Sequence, residues 1–213
     1  MKNSFANAEG KKILLKMVKA IQENKAYLGD IDGLIGDGDH GMNMNKGFTV
    51  FEERFADQDF SFTEGLDDLG MILLNEIGGS MGPIYGTIFM GMAEQGEDLE
   101  QISLEEFAQM LEHGFSELQT IIEAQVGDKT LVDTLSPAVD ALNESVQTGE
   151  SFDKALGAMK EAAQAGRDST KDLAAKFGRS SRLGERSRGV LDAGATSCCL
   201  ILCAMADGIK ELL

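Results

Sequence analysis

The sequence predicts an all-α fold, and three observations carry that reading. Only two prolines, Pro83 and Pro137, interrupt 213 residues. Alternating β-branched runs, which a half-buried strand would need, are scarce. Apolar residues instead recur three and four apart along most of the chain, a spacing that places them on one face of a helix.

Taken in order, eight segments show that spacing. Ile13, Leu14, Met17, Val18 and Ile21 make one face of a first helix. Phe48, Phe51 and Phe55 mark a second, and Leu66, Leu69, Leu73 and Ile77 a third. From Pro83 to about Glu94 the residues are small and apolar on most sides, as in a helix surrounded by others. Ser103-Leu104-Glu105-Glu106 has the form of a capping box, in which serine and glutamate satisfy each other's free backbone N–H groups. It opens a fifth helix with Phe107, Leu111, Phe115, Leu118 and Ile122 on one side. Leu131, Leu135, Val139, Leu142 and Val146 supply a sixth; a seventh, capped by Ser151, carries Leu156, Met159 and Ala163. The eighth runs from about Ala195 to Leu212. Mostly short connections imply that sequence neighbours pack antiparallel. With no linker-like stretch and no internal repeat, residues 1–213 read as one domain.

Composition narrows the function. A content of 43% hydrophobic and 26% charged residues describes a soluble globular chain. Lys+Arg number 19 against 36 Asp+Glu, a net charge of −17 that argues against partners made of nucleic acid or anionic membrane. No run of about 18 apolar residues offers a membrane span, and residues 1–7 lack the apolar core of a secretory signal. Cys198, Cys199 and Cys203 are bunched in one helical segment and suit buried thiols in a reducing compartment, so a cytoplasmic location is expected.

Four glycine-rich segments break the helical pattern: Gly29–Gly41, Gly78–Gly86, Gly127–Thr130 and Gly178–Gly194. Counted as the first, second, third and seventh connections, they are not gathered by up-and-down alternation alone, and their convergence at one end is an expectation. The first reads as an acidic loop, with Asp30, Asp32, Asp37 and Asp39 among five glycines. Glycines would let the backbone turn these carboxylates inward around a hard cation such as magnesium or calcium; a solvated acidic turn is the alternative. An EF-hand fails, because Gly41 stands where a bidentate glutamate belongs. Gly41–Gly47 then enters a helix whose free N–H groups suit a phosphate, or form an ordinary helix start without a ligand. Gly78–Pro83 can present N–H groups to an anion or serve as a tight turn, and it lacks the Gly-Lys-Ser/Thr close of a Walker A loop. The last segment places Arg179, Arg182, Arg186 and Arg188 in an otherwise acidic chain. They are either strong phosphate contacts or a surface loop paired with acidic neighbours.

Gly-Asp-Gly-Asp-His-Gly-Met-Asn-Met (36–44), Gly-Gly-Ser-Met-Gly-Pro-Ile-Tyr-Gly (78–86), Gly-Asp-Lys-Thr (127–130) and Gly-Arg-Ser-Ser-Arg-Leu-Gly-Glu-Arg-Ser (178–187) belong together. In order and spacing they resemble the ADP-binding L subunit of bacterial dihydroxyacetone kinase, over nearly the whole chain. The resemblance implies an antiparallel eight-helix barrel with a nucleotide at one rim. It implies a phosphotransferase in which tightly held ADP is recharged to ATP by a phosphohistidine partner, the M subunit. The phosphoryl group then passes to dihydroxyacetone, or a similar small ketose, on a separate K subunit. Carried over by position, Asp32, Asp37 and Asp39 would hold two magnesium ions, with Asp30 outside the triad. His40, Gly41, Met42 and Asn43 would neighbour the phosphates, as would Ser80 and Met81. Ile122, Leu131, Asp192, Ala193 and Gly194 would form the nucleotide pocket. Arg179 would be the catalytic residue, steadying charge on the transferring phosphoryl group. The chain departs from the family pattern at Met81 (usually Ser or Thr), Ile121-Ile122 (usually Arg-Gly), Arg182 (usually Tyr) and Ala193 (usually Pro). Such departures fit a diverged copy. Two further readings stay open: a subunit that exchanges free ATP, and a non-catalytic nucleotide-dependent regulator of a transcription factor.

Overall fold

Eight α-helices form in the computed structural model, which describes residues 2–213. They are α1 (Lys11–Ile35), α2 (His40–Phe55), α3 (Phe62–Glu76), α4 (Met81–Gly96), α5 (Leu104–Ile121), α6 (Val132–Thr148), α7 (Phe152–Ser169) and α8 (Ala193–Lys210). Each packs on its neighbours in sequence, and α8 packs on α1, which closes the ring into a barrel. One hydrophobic cluster draws on all eight helices, from Ile13 and Leu14 through Phe48, Leu66, Phe89, Phe107, Leu142 and Leu156 to Leu202. The fold class read from the sequence is the one observed.

Helix starts follow local chemistry. Ser103 and Glu106 form the anticipated capping box on α5, with Glu106 Oε2 accepting from the Ser103 N–H at 2.6 Å. Ser61 and Glu64 build the same device on α3, a signal the sequence reading passed over. Ser151 does precede α7, but its side chain accepts no capping hydrogen bond. A short antiparallel pair, β1 (Ser4–Ala6) with β2 (Gln101–Ser103), sets Phe5 opposite Ile102 and Phe5 against Phe62. Three residues per strand are too few to show alternation, so composition gave no warning of it.

Three expectations need correction. The glycine-rich segments occupy the first, third, fifth and seventh connections; all are odd, and alternation therefore carries all four to the same end. The acidic stretch is not one loop: α1 continues to Ile35, so Asp30 and Asp32 are helical and only residues 36–39 connect to α2. Helix α8 does have the length and apolarity of a membrane span, with a mean hydropathy of 1.3 over Ala193–Lys210. Burial against α1, α6 and α7 accounts for that composition.

Candidate functional site

Asp32 lies on the last turn of α1, whose end is set by Gly36 N–H donating to the Asp32 carbonyl at 2.5 Å. A Cβ at Gly36 would stand 2.3 Å from Asp32 Oδ1, so any side chain there would displace the carboxylate. Gly38 turns the chain back through a left-handed φ of 78°. Asp37 and Asp39 are thereby brought beside Asp32, with one oxygen from each carboxylate within 4.8 Å of the others. Three negative charges at that spacing repel and call for a cation. Arg179 supplies one, ion-paired to Asp37 from across the barrel mouth. Asp30 is exposed on α1 and takes no part in this cluster.

His40 begins α2 and is buried. Its N–H donates to Asp32 Oδ2 at 3.3 Å, and its Nε2 shares a hydrogen bond with Ser197 Oγ at 2.8 Å. Ser197 is bonded in turn to Tyr85 OH at 2.6 Å, and Tyr85 OH donates to the Gly194 carbonyl at 3.1 Å. Burial pushes the imidazole down to about 4 despite the opposing pull of Asp32, so the ring adds no charge near neutral pH. A polar chain thus fixes the starts of α2 and α8 to α4 at this end.

The cavity above these residues has a volume of about 470 Å³ and receives side chains from all four odd connections. Asp32, Asp37, Asp39 and His40 come from the first and the helix ends beside it, and Ser80 and Met81 from the third and the start of α4. Ile122 and Leu131 come from the fifth; Arg179, Asp192, Ala193 and Gly194 come from the seventh. Asp192 caps α8 by accepting from Ala195 N–H at 2.7 Å, and burial raises its carboxyl to about 6 against that bond and the Lys129 charge. Three expected residues do not line the cavity. Gly41 is packed against α1, where a Cβ would meet the Lys25 carbonyl at 2.0 Å; Met42 is 63% exposed; Asn43 is half-buried on the next turn. Sequence reasoning missed Phe177 and Ala124 on the wall and gave Lys129 no role. An aromatic residue immediately before Gly178-Arg179 was the available signal for Phe177.

Chemically the cavity has two parts. Carboxylates, Arg179 and the capped start of α8 suit a hard cation and anionic oxygens. Ile121, Ile122, Ala124, Leu131 and Phe177 offer an apolar wall suited to a flat ring. A larger groove of about 910 Å³ lies between α3, α4 and α5, lined by Glu64, Asp67, Glu94, Glu97 and Glu117 without a basic residue. Lacking any cation, it is unsuited to an anionic ligand.

The DAK2 domain family matches residues 34–207, a match that begins just after Asp32. Over 188 residues the chain is 39% identical to the PEP-dependent dihydroxyacetone kinase, ADP-binding subunit DhaL, of Escherichia coli (strain K12), covering 87% of this chain and 89% of that one. It is 35% identical to the ADP-binding subunit DhaL of the PTS-dependent dihydroxyacetone kinase of Lactococcus lactis subsp. lactis (strain IL1403), covering 85% and 87%. The D-erythrulose kinase of Mycolicibacterium smegmatis is 32% identical, but the 90% of this chain that aligns spans only 33% of that enzyme. Among solved structures, the dihydroxyacetone kinase from C. freundii in complex with AMP-PNP and Mg2+ superposes with a TM-score of 0.74, over 97% of this chain and 35% of that one. At 21% identity this last likeness concerns the fold.

Proposed function

This chain belongs to the DAK2 domain family, and from that premise we propose that it is the nucleotide-binding subunit of a phosphotransferase acting on a small ketose such as dihydroxyacetone. ADP and ATP would be the resident nucleotides, with a separate K subunit holding the ketose and a phosphohistidine-type M subunit as phosphoryl donor. The relatives that this chain overlaps over 87–89% of their length are named ADP-binding subunits, which supports a role beside separate partner subunits. The observation that carries the reading is the meeting of Asp32, Asp37 and Asp39 with Arg179 at the mouth of a cavity whose far wall is apolar.

The donor set fits magnesium: three carboxylates, hard oxygen ligands, with Gly36 leaving room for one of them. When bound, two such ions would offset the roughly −6 charge of a diphosphate plus three carboxylates to about −2 and screen the phosphoryl group from its neighbours. Arg179, at the open end, would meet the charge that remains and stabilise the group in transit. Backbone N–H groups at Ser80-Met81 and at the start of α8 would orient phosphate oxygens, while Ile122, Leu131 and Phe177 would hold the base. Neutral His40, fixed by Ser197, would shape the floor without adding charge. No side chain of this chain need act as a nucleophile, and activation of the ketose hydroxyl falls to the partner.

Native mass spectrometry of the purified chain tests the proposal. Retained ADP or ATP is the expected result; a chain that stays nucleotide-free with added magnesium and ADP would overturn it. Reconstitution with K- and M-type subunits then separates recharging by a phosphohistidine from exchange with free ATP, and phosphoryl transfer from regulation.

A further inference from the structure

The Gly127–Thr130 turn is built more elaborately than a plain link between α5 and α6 requires. Gly127 (φ 97°) and Lys129 (φ 62°) are both left-handed, and for a lysine that conformation is uncommon and concentrates where structure over-determines it. Asp133 fixes the turn by accepting from Gly127 N–H at 2.6 Å and Thr130 N–H at 2.8 Å. The reversals send Asp128 and Lys129 to the α7–α8 connection. Asp128, buried, pairs through Oδ1 with Lys176 Nζ at 2.6 Å, and its carbonyl accepts from Lys176 N–H at 3.1 Å. Lys129 is 1% exposed, and its ammonium donates to the carbonyls of Thr170 and Val190, both at 2.5 Å. A buried ammonium is costly unless its surroundings repay it, and joining two helices does not call for one.

The attachment points bracket Arg179. Thr170 and Lys176 precede it; Val190 follows it and leads into Asp192, whose N–H donates to Thr170 Oγ1 at 3.0 Å. We propose that Asp128 and Lys129 are positioning residues, a clasp that holds both ends of the α7–α8 connection and so sets where Arg179 stands against the carboxylate cluster. The role in turnover rests on the function proposed above; the clasp itself does not.

The test compares the full wild-type chain with Asp128→Asn, Lys176→Met, their double variant and Lys129→Met. Lys176 is largely exposed, so its variant still folds should Lys129→Met not. Amide hydrogen exchange of residues 173–190 is measured with and without magnesium and ADP, alongside melting and turnover in the reconstituted complex. Asp128→Asn and Lys176→Met should each speed exchange in that segment alone. They should lower kcat by roughly ten- to a hundredfold, the scale of a small misplacement of a catalytic group. ADP affinity and the KM for the loaded K subunit should hold within about threefold. The double variant should be no worse than the stronger single, because both break one contact, and Asp128→Glu should recover part of kcat. Unchanged exchange overturns the clasp, as does a uniform rise in step with a lower melting temperature; a loosened segment with unchanged kcat overturns the positioning role. Should the wild type retain no nucleotide, the proposed function fails, while the exchange measurement still decides the clasp.

Discussion

Asp37 and Asp39 each sit among like charges, and of the two only Asp37 has an arginine. Replacing both by asparagine removes that repulsion and the cation's ligands together. The double variant should therefore melt no lower than wild type without ligand, yet lose the stabilisation that magnesium and ADP bring. For wild type, that stabilisation is about 2.7 kcal/mol at a hundredfold excess over Kd, read as a shift in Tm by calorimetry. A ligand-linked shift that survives the double change would remove the aspartates from the site. Arg179→Ala separates binding from transfer. Its guanidinium pairs at the cavity mouth, so ADP-linked stabilisation should persist while turnover of the reconstituted complex drops about a thousandfold, the scale of an arginine finger. Equal losses in both measurements would make Arg179 a binding residue only.

Helix pairs decide how much of this was readable in advance. Gly41 sits in a motif that points to phosphate, yet its immediate task is the close approach of α2 to α1, with the Lys25 carbonyl and the Gly29 N–H where a Cβ would be. Gly41→Ala should cost about 3 kcal/mol in urea unfolding, because overpacking between two helix backbones cannot relax through a side chain. Gly157, inside α7, has no atom within 4 Å of its Cβ position, and Gly157→Ala should instead stabilise by about 0.5–1 kcal/mol. On α8 the thiols divide the same way. Cys198 and Cys199 are buried as anticipated, but Cys203 is only half-buried, 4.0 Å from Cys199 Sγ. The Cys199 hydrogen bond and, against desolvation, the Lys160 charge hold the Cys203 thiol below the ordinary thiol range. With limiting iodoacetamide, Cys203 should label first, at a rate that rises with pH and levels below the range of an ordinary thiol, and Lys160→Gln should move the midpoint of that rise upward. The approach of Gly41 to Lys25 and the influence of Lys160 on Cys203 were illegible in sequence because they join residues on different helices. Apolar spacing, by contrast, repeats within a helix, so Leu66, Leu69 and Leu73 announced α3 and Phe107, Leu111 and Phe115 announced α5. Site residues were legible where a motif was contiguous, as at Asp37 and Asp39. They escaped where the wall is assembled from ordinary residues such as Phe177 and Ala124.

At the scale of the whole molecule, an even number of helices closed into a ring puts every odd connection at one end, and that parity brings together segments separated by most of the chain. The same end carries most of the large apolar side chains left in water: Leu34, Met42, Ile121, Val126 and Phe177. An exposed apolar group on an otherwise strongly acidic surface marks a place for a partner, and this group lies at the end of the barrel where Arg179 and the three aspartates line the cavity. Under the proposed function, transfer to a ketose held elsewhere would require the cavity mouth to be sealed from water by the partner that receives the phosphoryl group. Leu34, 67% exposed, and Val126, 59% exposed, lie on this rim without lining the cavity. Leu34→Glu and Val126→Glu should each weaken association with the K subunit by about tenfold, the loss of one well-packed interface side chain. Titration calorimetry and the KM for the loaded partner both read that change, and ADP-linked stabilisation of the isolated chain should not move. If both variants bind the partner as wild type does, the phosphoryl group leaves by a different face, and the apolar rim owes its exposure to something other than docking.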